Sequence, residues 1–186
     1  MEKRIWVEET VNKTGEHVEI AGWVQTVRAH GKIVFIDLRD FTGVLQLVLP
    51  ADLAREIRPE WVIEAEGKIS ARPEKLINPK ISTGKVEMQV EKLNILNKAE
   101  TLPFAIEDAG YDISEDKRMK YRYLDLRRPR LKRNLQQRQK ITSLIRNFLQ
   151  ERKFIEVETP FITKSTPEGA RDFVVPSRLQ KGKFYA

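Results

Sequence analysis

The sequence predicts a small β-barrel in the first half of the chain and a helix-rich α/β segment in the second half. Up to about residue 97, apolar residues recur at every second position in five short runs, which is typical of half-buried strands. Between Pro129 and Lys153, apolar residues recur instead at helical spacing, with proline at the first helical position. Neither half contains an internal repeat or a low-complexity segment.

The five predicted strands each direct one face of apolar side chains toward a common core. They cover residues 17–25, 32–38, 44–49, 61–69 and 85–96. A short helix is predicted over residues 52–58, between the third and fourth strands, because Pro59 would end it. This order is that of an OB-fold, a barrel that binds oligonucleotides on strands 2 and 3 and in the flanking loops. An SH3-like barrel would have a similar number of strands.

Two side chains on the outer face of the predicted barrel point to nucleic-acid binding. Phe35 on the second strand and Gln46 on the third both alternate away from the predicted core. An exposed aromatic ring beside an exposed amide can stack on a base and hydrogen-bond to its edge. The alternative is that Phe35 packs beneath a loop as part of a satellite core.

Composition excludes several classes of protein. The 186-residue chain has no cysteine and two histidines, so neither a disulfide framework nor a structural zinc site is expected. No apolar run approaches the ~20 residues that span a bilayer, and the N-terminus lacks the apolar segment of a signal peptide. We therefore expect a cytoplasmic protein without a membrane span.

The net charge of +7 is concentrated in one segment of the chain. Residues 112–153 hold 14 basic and 5 acidic residues, whereas residues 1–98 hold 15 of each. The basic segment could bind an acidic partner or could simply be a solvated helix face. The predicted barrel therefore lacks the overall positive charge with which many proteins attract nucleic acid.

The second half is predicted to begin with a connector over residues 99–128. Pro103 and Gly110 interrupt any periodicity there, and Ser114 is positioned to cap a short helix. The long helix after the connector is followed by a strand predicted over residues 155–158, which Pro160 would stop.

Four segments carry distinctive motifs. They are residues 34–43 (VFIDLRDFTG), 121–129 (YRYLDLRRP), 154–160 (FIEVETP) and 164–177 (KSTPEGARDFVVPS). Together they resemble the bacterial type of aspartyl-tRNA synthetase, a class II aminoacyl-tRNA synthetase. The first motif is shared with the related asparagine and lysine enzymes, whereas the last is specific to the aspartate enzyme.

The resemblance implies an N-terminal fragment of such an enzyme with three regions. Residues 1–98 would be the OB-fold anticodon-binding domain, residues 99–128 a hinge, and residues 129–186 the beginning of the catalytic domain. The motif FIEVETP would contribute to a homodimer interface near Pro160. The motifs that hold ATP do not occur in this sequence, so we expect no catalysis from these residues alone. The full-length enzyme would use ATP and Mg2+ to attach L-aspartate to tRNA-Asp.

The resemblance also assigns roles to individual residues. The anticodon site would comprise Arg28, Phe35, Gln46, Arg72, Asn78 and Glu87. Phe35 would stack on the middle anticodon base, with Arg28 and Gln46 at the edge of that base. Asn78 and Glu87 would contact neighbouring bases. Glu168 would bind the α-ammonium group of aspartate, a contact that a carboxylate makes strongly where water is excluded.

Two residues bear on whether tRNA-Asn is also charged. In the family, a histidine at the position of His30 is associated with enzymes that accept both tRNAs. A lysine at the position of Lys75 is associated with enzymes restricted to tRNA-Asp. The two residues therefore point in opposite directions. We favour an enzyme that accepts both tRNAs, because the imidazole of His30 can donate or accept at a base edge. The alternative is that His30 is a solvated loop residue without a role.

Two alternatives belong to other classes of protein. A freestanding single-strand-binding OB-fold protein would account for residues 1–98 but not for the motifs downstream. An asparagine- or lysine-type synthetase would share the first of the four motifs.

Overall fold

A computed structural model describes residues 4–163 and 173–185, which belong to two units, Met1–Pro103 and Phe104–Ala186. The first unit is built mainly of strands and the second mainly of helices. No helix in the described ranges is both long enough and apolar enough to cross a membrane.

The first unit contains a closed barrel of five strands. The strands are β1 (His17–His30), β2 (Ile33–Arg39), β3 (Val44–Pro50), β4 (Val62–Ala71) and β5 (Val86–Asn97), and helix α1 (Ala51–Ala54) follows β3. The order around the barrel is β1–β2–β3–β5–β4, and β4 pairs with β1 to close the ring. Neighbouring strands are antiparallel except β3 and β5, which are parallel. The barrel and the helix between its third and fourth strands are thus confirmed.

The apolar side chains whose alternation predicted the strands fill the interior of the barrel. Every second residue of β2 and β3 is buried, because successive side chains of a strand point to opposite faces. The fully buried side chains include Ile20, Val24, Ile36, Leu38, Leu45, Leu47, Ile63, Ile69 and Met88. Burying one such side chain stabilises a fold by about 1.5–3 kcal/mol, so these residues hold the barrel together.

Strand β1 continues to His30, whereas the sequence predicted that it ends at residue 25. The pairing of β1 with β2 shifts between Val24 and Thr26, so that Gln25 is an extra residue in β1. Such a β-bulge changes the phase of the side chains that follow it, and simple alternation therefore fails after Val24. Beyond the bulge, Arg28 points to the outer face of the barrel.

Helix α1 ends at Ala54 instead of continuing to residue 58 as predicted. The amide of Ile57 donates to the carbonyl of Ala54 over 3.1 Å, in a tight turn that buries the Ile57 side chain. Arg58 precedes Pro59, and a residue before proline is disfavoured in the helical conformation. The helix therefore stops before the proline is reached.

The described residues of the second unit form three helices and a two-stranded ribbon. The helices are α2 (Glu115–Lys120), α3 (Arg122–Asp125) and α4 (Pro129–Glu151), and the strands are β6 (Val175–Pro176) and β7 (Phe184–Tyr185). Pro129 is the first residue of α4, as predicted. Ser114 stands at the predicted N-cap position of α2, but its side chain makes no capping hydrogen bond. The strand predicted over residues 155–158 is not formed. No strand in the described ranges pairs with it, and an extended segment without a partner is not stable as a strand.

The second unit buries a cluster of ions. The carboxylate of Asp125 is fully buried and accepts hydrogen bonds from Arg118 over 3.2 Å, from Arg122 over 3.0 Å and from Arg128 over 2.9 Å. Arg128 is also fully buried, and its guanidinium lies 5.1 Å from the centre of the Phe104 ring. Burial favours a raised pKa for Asp125, but the hydrogen bonds from Arg118 and Arg128 outweigh burial and lower the pKa.

Helix α4 buries none of its residues. Its large apolar side chains form an exposed stripe, which we call the α4 stripe: Leu135, Ile141, Leu144, Ile145, Phe148 and Leu149. Beside this stripe, Arg146 makes a bidentate pair with Glu156 over 2.9–3.0 Å, and both side chains are more than half exposed.

Candidate nucleic-acid interface

The ring of Phe35 lies half-buried on the outer face of the barrel. Phe35 is directly opposite Arg28 of β1 and Val48 of β3. The imidazole of His30 packs against the ring edge-on, with centroids 5.8 Å apart and planes at 75°. The partly open ring is thus available for stacking, which is the role predicted for it.

The β-bulge at Gln25 brings Arg28 and His30 to the same face as Phe35. In the shifted register Arg28 is opposite Phe35 and His30 is opposite Ile33. Both Arg28 and His30 are exposed. Sequence periodicity could not assign Arg28 to this face, because the alternation of apolar residues in the first strand fails after Val24.

Arg28 is held by a carboxylate that the sequence analysis did not single out. Its Nη2 atom donates to Asp37 Oδ1 over 2.9 Å, and Thr26 Oγ1 donates to Asp37 Oδ2 over 2.6 Å. Asp37 is two residues after Phe35 on β2, so the period-two pattern already assigned it to the outer face. That pattern was the available signal for its role in the site.

Gln46 is joined to Glu87 across strands β3 and β5. The amide Nε2 of Gln46 donates to Glu87 Oε2 over 3.0 Å, and Nε2 of Gln89 donates to Glu87 Oε1 over 3.0 Å. The parallel pairing of these strands accounts for the contact, because Leu47 pairs with Met88. The structure therefore brings together Gln46 and Glu87, and it adds Gln89 to the set.

Arg72 is buried at the end of β4 instead of being free to reach RNA from solvent. Its Nε donates to the carbonyl of Val86 over 3.1 Å and lies 3.7 Å from Glu87 Oε2. Burial lowers the pKa of the Arg72 guanidinium, and the nearby Glu87 opposes that change. Arg72 thus places a buried positive charge next to the carboxylate of Glu87.

Asn78 and Lys75 lie in the connection between β4 and β5. Asn78 Oδ1 accepts from the amide of Lys80 over 3.0 Å, and Lys75 is exposed on a short 3-10 turn, Glu74–Leu76. Neither side chain hydrogen-bonds to the groups around Phe35 in the described part of the chain. The backbone of Gly84 lies so close to Asn78 in this connection that a Cβ at position 84 would overlap the carbonyl oxygen of Asn78.

The remaining predicted site residues belong to the second unit. Pro160 is exposed in the segment after α4. Glu168 lies outside the described residues. Across residues 4–163 and 173–185, no three His, Cys, Asp or Glu side chains are close enough together to hold a metal ion.

The face around Phe35 is close to electrically balanced. Asp37 pairs with Arg28, and Glu87 lies beside Arg72. Such a face offers an aromatic platform, guanidinium donors and amide groups, which suit stacking and base-edge contacts. It offers little net charge for phosphate groups, which normally dominate non-specific affinity.

Two regions of the chain match known protein families. Residues 18–96 match the OB-fold nucleic acid binding domain, and residues 114–186 match the class II tRNA synthetases of the D, K and N type. The first match spans almost the whole barrel and includes every predicted anticodon-site residue.

Two curated relatives share about half of their aligned residues with this chain. One is the aspartate–tRNA(Asp/Asn) ligase of Syntrophotalea carbinolica, 52% identical over 95% of the chain. Another is the aspartate–tRNA ligase of Macrococcus caseolyticus, 54% identical over 95% of the chain. The chain spans 31% of the length of each relative.

The fold is also found in a solved structure. Asparaginyl-tRNA synthetase from Pyrococcus horikoshii, complexed with asparaginyl-adenylate, superposes with a TM-score of 0.79 at 23% sequence identity. The likeness covers 100% of this chain and 42% of that one. Because the sequence identity is low, this structural likeness establishes the fold and not the function.

Proposed function

Because the chain belongs to the class II aminoacyl-tRNA synthetase family, we propose that residues 1–98 bind the anticodon of a tRNA on the Phe35 face of the barrel. The full-length protein would act in the cytoplasm as an aspartate–tRNA ligase. The observation that carries the anticodon site is the convergence of Phe35, Arg28 and Gln46 from three adjacent strands on one face. A freestanding single-strand-binding role leaves the match of residues 114–186 unexplained.

Each of these three side chains supplies a different interaction with a base. The half-open ring of Phe35 provides a surface for stacking, which is worth about 1–3 kcal/mol per base. Arg28 retains N–H groups beyond the one that it donates to Asp37. The amide of Gln46 can hydrogen-bond to a base edge. Asn78 and Glu87 would contact the bases on either side.

The direct test is a fluorescence titration of the 186-residue chain with a labelled tRNA-Asp anticodon hairpin. Phe35→Ala is expected to raise the Kd by roughly 5- to 150-fold, which corresponds to the loss of one stacked base. Phe41→Ala is the matched control, because Phe41 is 70% exposed in the turn between β2 and β3. Equal binding by the wild type and Phe35→Ala would remove Phe35 from the site.

The anticodon site is also expected to tolerate the anticodon of tRNA-Asn. His30 is exposed at the edge of Phe35, where it can donate to or accept from more than one base. The names of the two relatives do not decide the specificity, because both relatives are about equally similar to this chain. One is named an aspartate–tRNA(Asp/Asn) ligase and the other an aspartate–tRNA ligase. A leucine at position 30 would leave a base edge without a partner, which is unfavourable once water is excluded.

Aminoacylation of purified tRNA-Asn and tRNA-Asp by the full-length enzyme tests this expectation. His30→Leu is expected to slow the charging of tRNA-Asn more than that of tRNA-Asp. If the wild type charges tRNA-Asn more than about 100-fold more slowly than tRNA-Asp, the enzyme is restricted to tRNA-Asp. Lys75 would then be the better guide to specificity.

Catalysis would depend on parts of the protein beyond this chain. The motifs with which the family holds ATP do not occur in this sequence, which spans 31% of the length of its curated relatives. Of the residues present, Glu168 would bind the ammonium group of L-aspartate. ATP–pyrophosphate exchange with aspartate is therefore expected from the full-length enzyme and not from residues 1–186. Exchange by the 186-residue chain would contradict this division of roles.

The full-length enzyme would be a homodimer. The α4 stripe and Pro160 are exposed in this chain and would lie at or near the interface between two copies. Exposed apolar patches of this kind mark association surfaces or, when uncovered, aggregation sites.

A further inference from the structure

The amide group of Gln46 is fixed in one orientation by Glu87. Its Nε2 atom donates to Glu87 Oε2 over 3.0 Å, and a carboxylate oxygen without a proton can only accept. Rotating the amide by half a turn would bring Oε1 against Oε2, so that two acceptors would face each other. Oε1 is therefore the end of the amide that is directed away from Glu87.

Glu87 is itself held from two further directions. Gln89 donates to its Oε1 atom over 3.0 Å, and the Arg72 guanidinium lies 3.7 Å from its Oε2 atom. The Arg72 side chain is 5% exposed and is anchored to the carbonyl of Val86. A buried cation with an anchored side chain keeps the carboxylate of Glu87 at one position beside β3.

From this arrangement we propose that Glu87 is a positioning residue that makes Gln46 a hydrogen-bond acceptor toward the base stacked on Phe35. The inference rests on the proposed anticodon site and deepens it. A base that presents an N–H to Gln46 Oε1 is accepted, because the hydrogen bond forms without rearrangement. A base that presents a lone pair there is rejected, because two acceptors meet in a site from which water is excluded.

Arg28, in contrast to Gln46, is fixed as a hydrogen-bond donor. A guanidinium can only donate, and Asp37 fixes it over 2.9 Å beside the same ring. The face therefore offers one acceptor and one donor at set positions, and neither can exchange its role with the other. Removing Glu87 frees the amide of Gln46 to turn either end toward the base, so discrimination should fall more than affinity.

The test compares four anticodon hairpins that differ only in the middle base, titrated against the 186-residue chain. The measured quantity is the ratio of the weakest to the tightest Kd. Glu87→Gln is expected to shrink this ratio by roughly tenfold. The matched control is Glu91→Gln on the same strand, where the exposed carboxylate lies 3.4 Å from His17. An unchanged ratio in Glu87→Gln would overturn the proposal.

A double-mutant cycle separates positioning of Gln46 from a direct contact between Glu87 and RNA. In the background of Gln46→Ala, adding Glu87→Gln should leave the ratio unchanged within about twofold. If Glu87→Gln shrinks the ratio of Kd values by the same factor in the Gln46→Ala background, the positioning role is overturned. If Glu87→Gln fails to fold, Glu87→Asp keeps the charge beside Arg72 and withdraws it from Gln46, and the same narrowing is expected. Failure of the wild type to bind any hairpin would instead contradict the proposed anticodon site.

Discussion

The barrel and the second unit differ in the side chains that they bury most completely. In the barrel, the buried residues of each strand are apolar and form one cluster. In the second unit, Asp125 and Arg128 are fully buried next to a few buried apolar side chains such as Leu124, while helix α4 exposes the apolar side chains of the α4 stripe. An apolar core stabilises a fold without external partners, whereas an exposed apolar stripe gains stability only when another surface covers it. We therefore expect the barrel to be the autonomously stable part of this chain.

The largest expected effect comes from replacing leucine by alanine, a change that should be costly in the barrel and nearly neutral on α4. Leu47→Ala in the barrel should lower the free energy of unfolding by about 2–5 kcal/mol, because Leu47 is fully buried and its loss leaves a cavity. Leu144→Ala on α4 should change it by less than about 0.5 kcal/mol, because Leu144 is 68% exposed. Urea unfolding followed by tryptophan fluorescence reports on Leu47→Ala, since Trp6, Trp23 and Trp61 all belong to the first unit, and unfolding followed by far-UV circular dichroism reports on Leu144→Ala in the helical unit. Similar losses from the two substitutions would refute the contrast.

The second expected effect tests whether the ion cluster takes the place of an apolar core in the second unit. Asp125→Asn should destabilise this unit by about 3 kcal/mol, because three arginines lose their shared carboxylate. Far-UV circular dichroism during urea unfolding reports on this unit, since α1 is the one α-helix among the described residues of the barrel. Asp112→Asn, at an exposed position of the same unit, is the control. A helix signal as stable in Asp125→Asn as in the wild type would show that the cluster is dispensable.

The same carboxylate should make the stability of the second unit depend on pH. The pKa of Asp125 is lower in the folded state than in the unfolded chain, where it is about 3.9. The stabilisation from Asp125 is therefore complete above about pH 4 and is lost as the pH falls through the folded value. The wild-type urea midpoint of the helix signal should fall as the pH is lowered below about pH 4, and the fall should be smaller in Asp125→Asn. An equal fall in both proteins would assign the acid sensitivity to other carboxylates.

The smallest expected effect concerns an ion pair with good geometry but high exposure. Arg146 and Glu156 form a bidentate pair, and the hydrogen bond from Arg146 lowers the pKa of Glu156. Both side chains are more than half exposed, so water and salt screen their attraction. Glu156→Gln should leave the thermal midpoint of the helix signal unchanged within error. A shift comparable to that of Asp125→Asn would mean that exposure does not determine the strength of ion pairs in this unit.

The core of the barrel and the outward positions of Phe35 and Gln46 were predictable from local pattern. Period-two alternation identified the inward residues of β2 and β3, and by the same alternation it assigned Phe35 and Gln46 to the outer face. Both inferences depend on neighbours along one strand, and local alternation is preserved wherever a strand is regular. Strands β2 and β3, which carry these two side chains, were predicted within one residue of their observed bounds.

Features that depend on distant partners were not predictable in this way. The bulge at Gln25 becomes visible only when β1 is aligned with β2, and Arg28 reaches the outer face because of it. The strand predicted over residues 155–158 lacks a partner in the described ranges, which local sequence cannot reveal. Asp125 and Arg128 lie in a basic segment that composition associates with a solvated surface, yet mutual pairing allows both to be buried.

The way in which the barrel closes has a consequence for the order of events during synthesis. Neither the pairing of Ile20 with Ala65 nor that of Leu47 with Met88 joins residues that are near in sequence, and β5 supplies the last wall. Closure therefore cannot be completed before Asn97 has left the ribosome, and it should then occur as one cooperative event. The residues between Asn97 and Leu135, the first residue of the α4 stripe, take roughly 2–7 s to translate at bacterial and eukaryotic rates. During that interval the barrel can finish folding before the exposed apolar side chains of α4 emerge, so the newly made chain presents its two hydrophobic surfaces in succession.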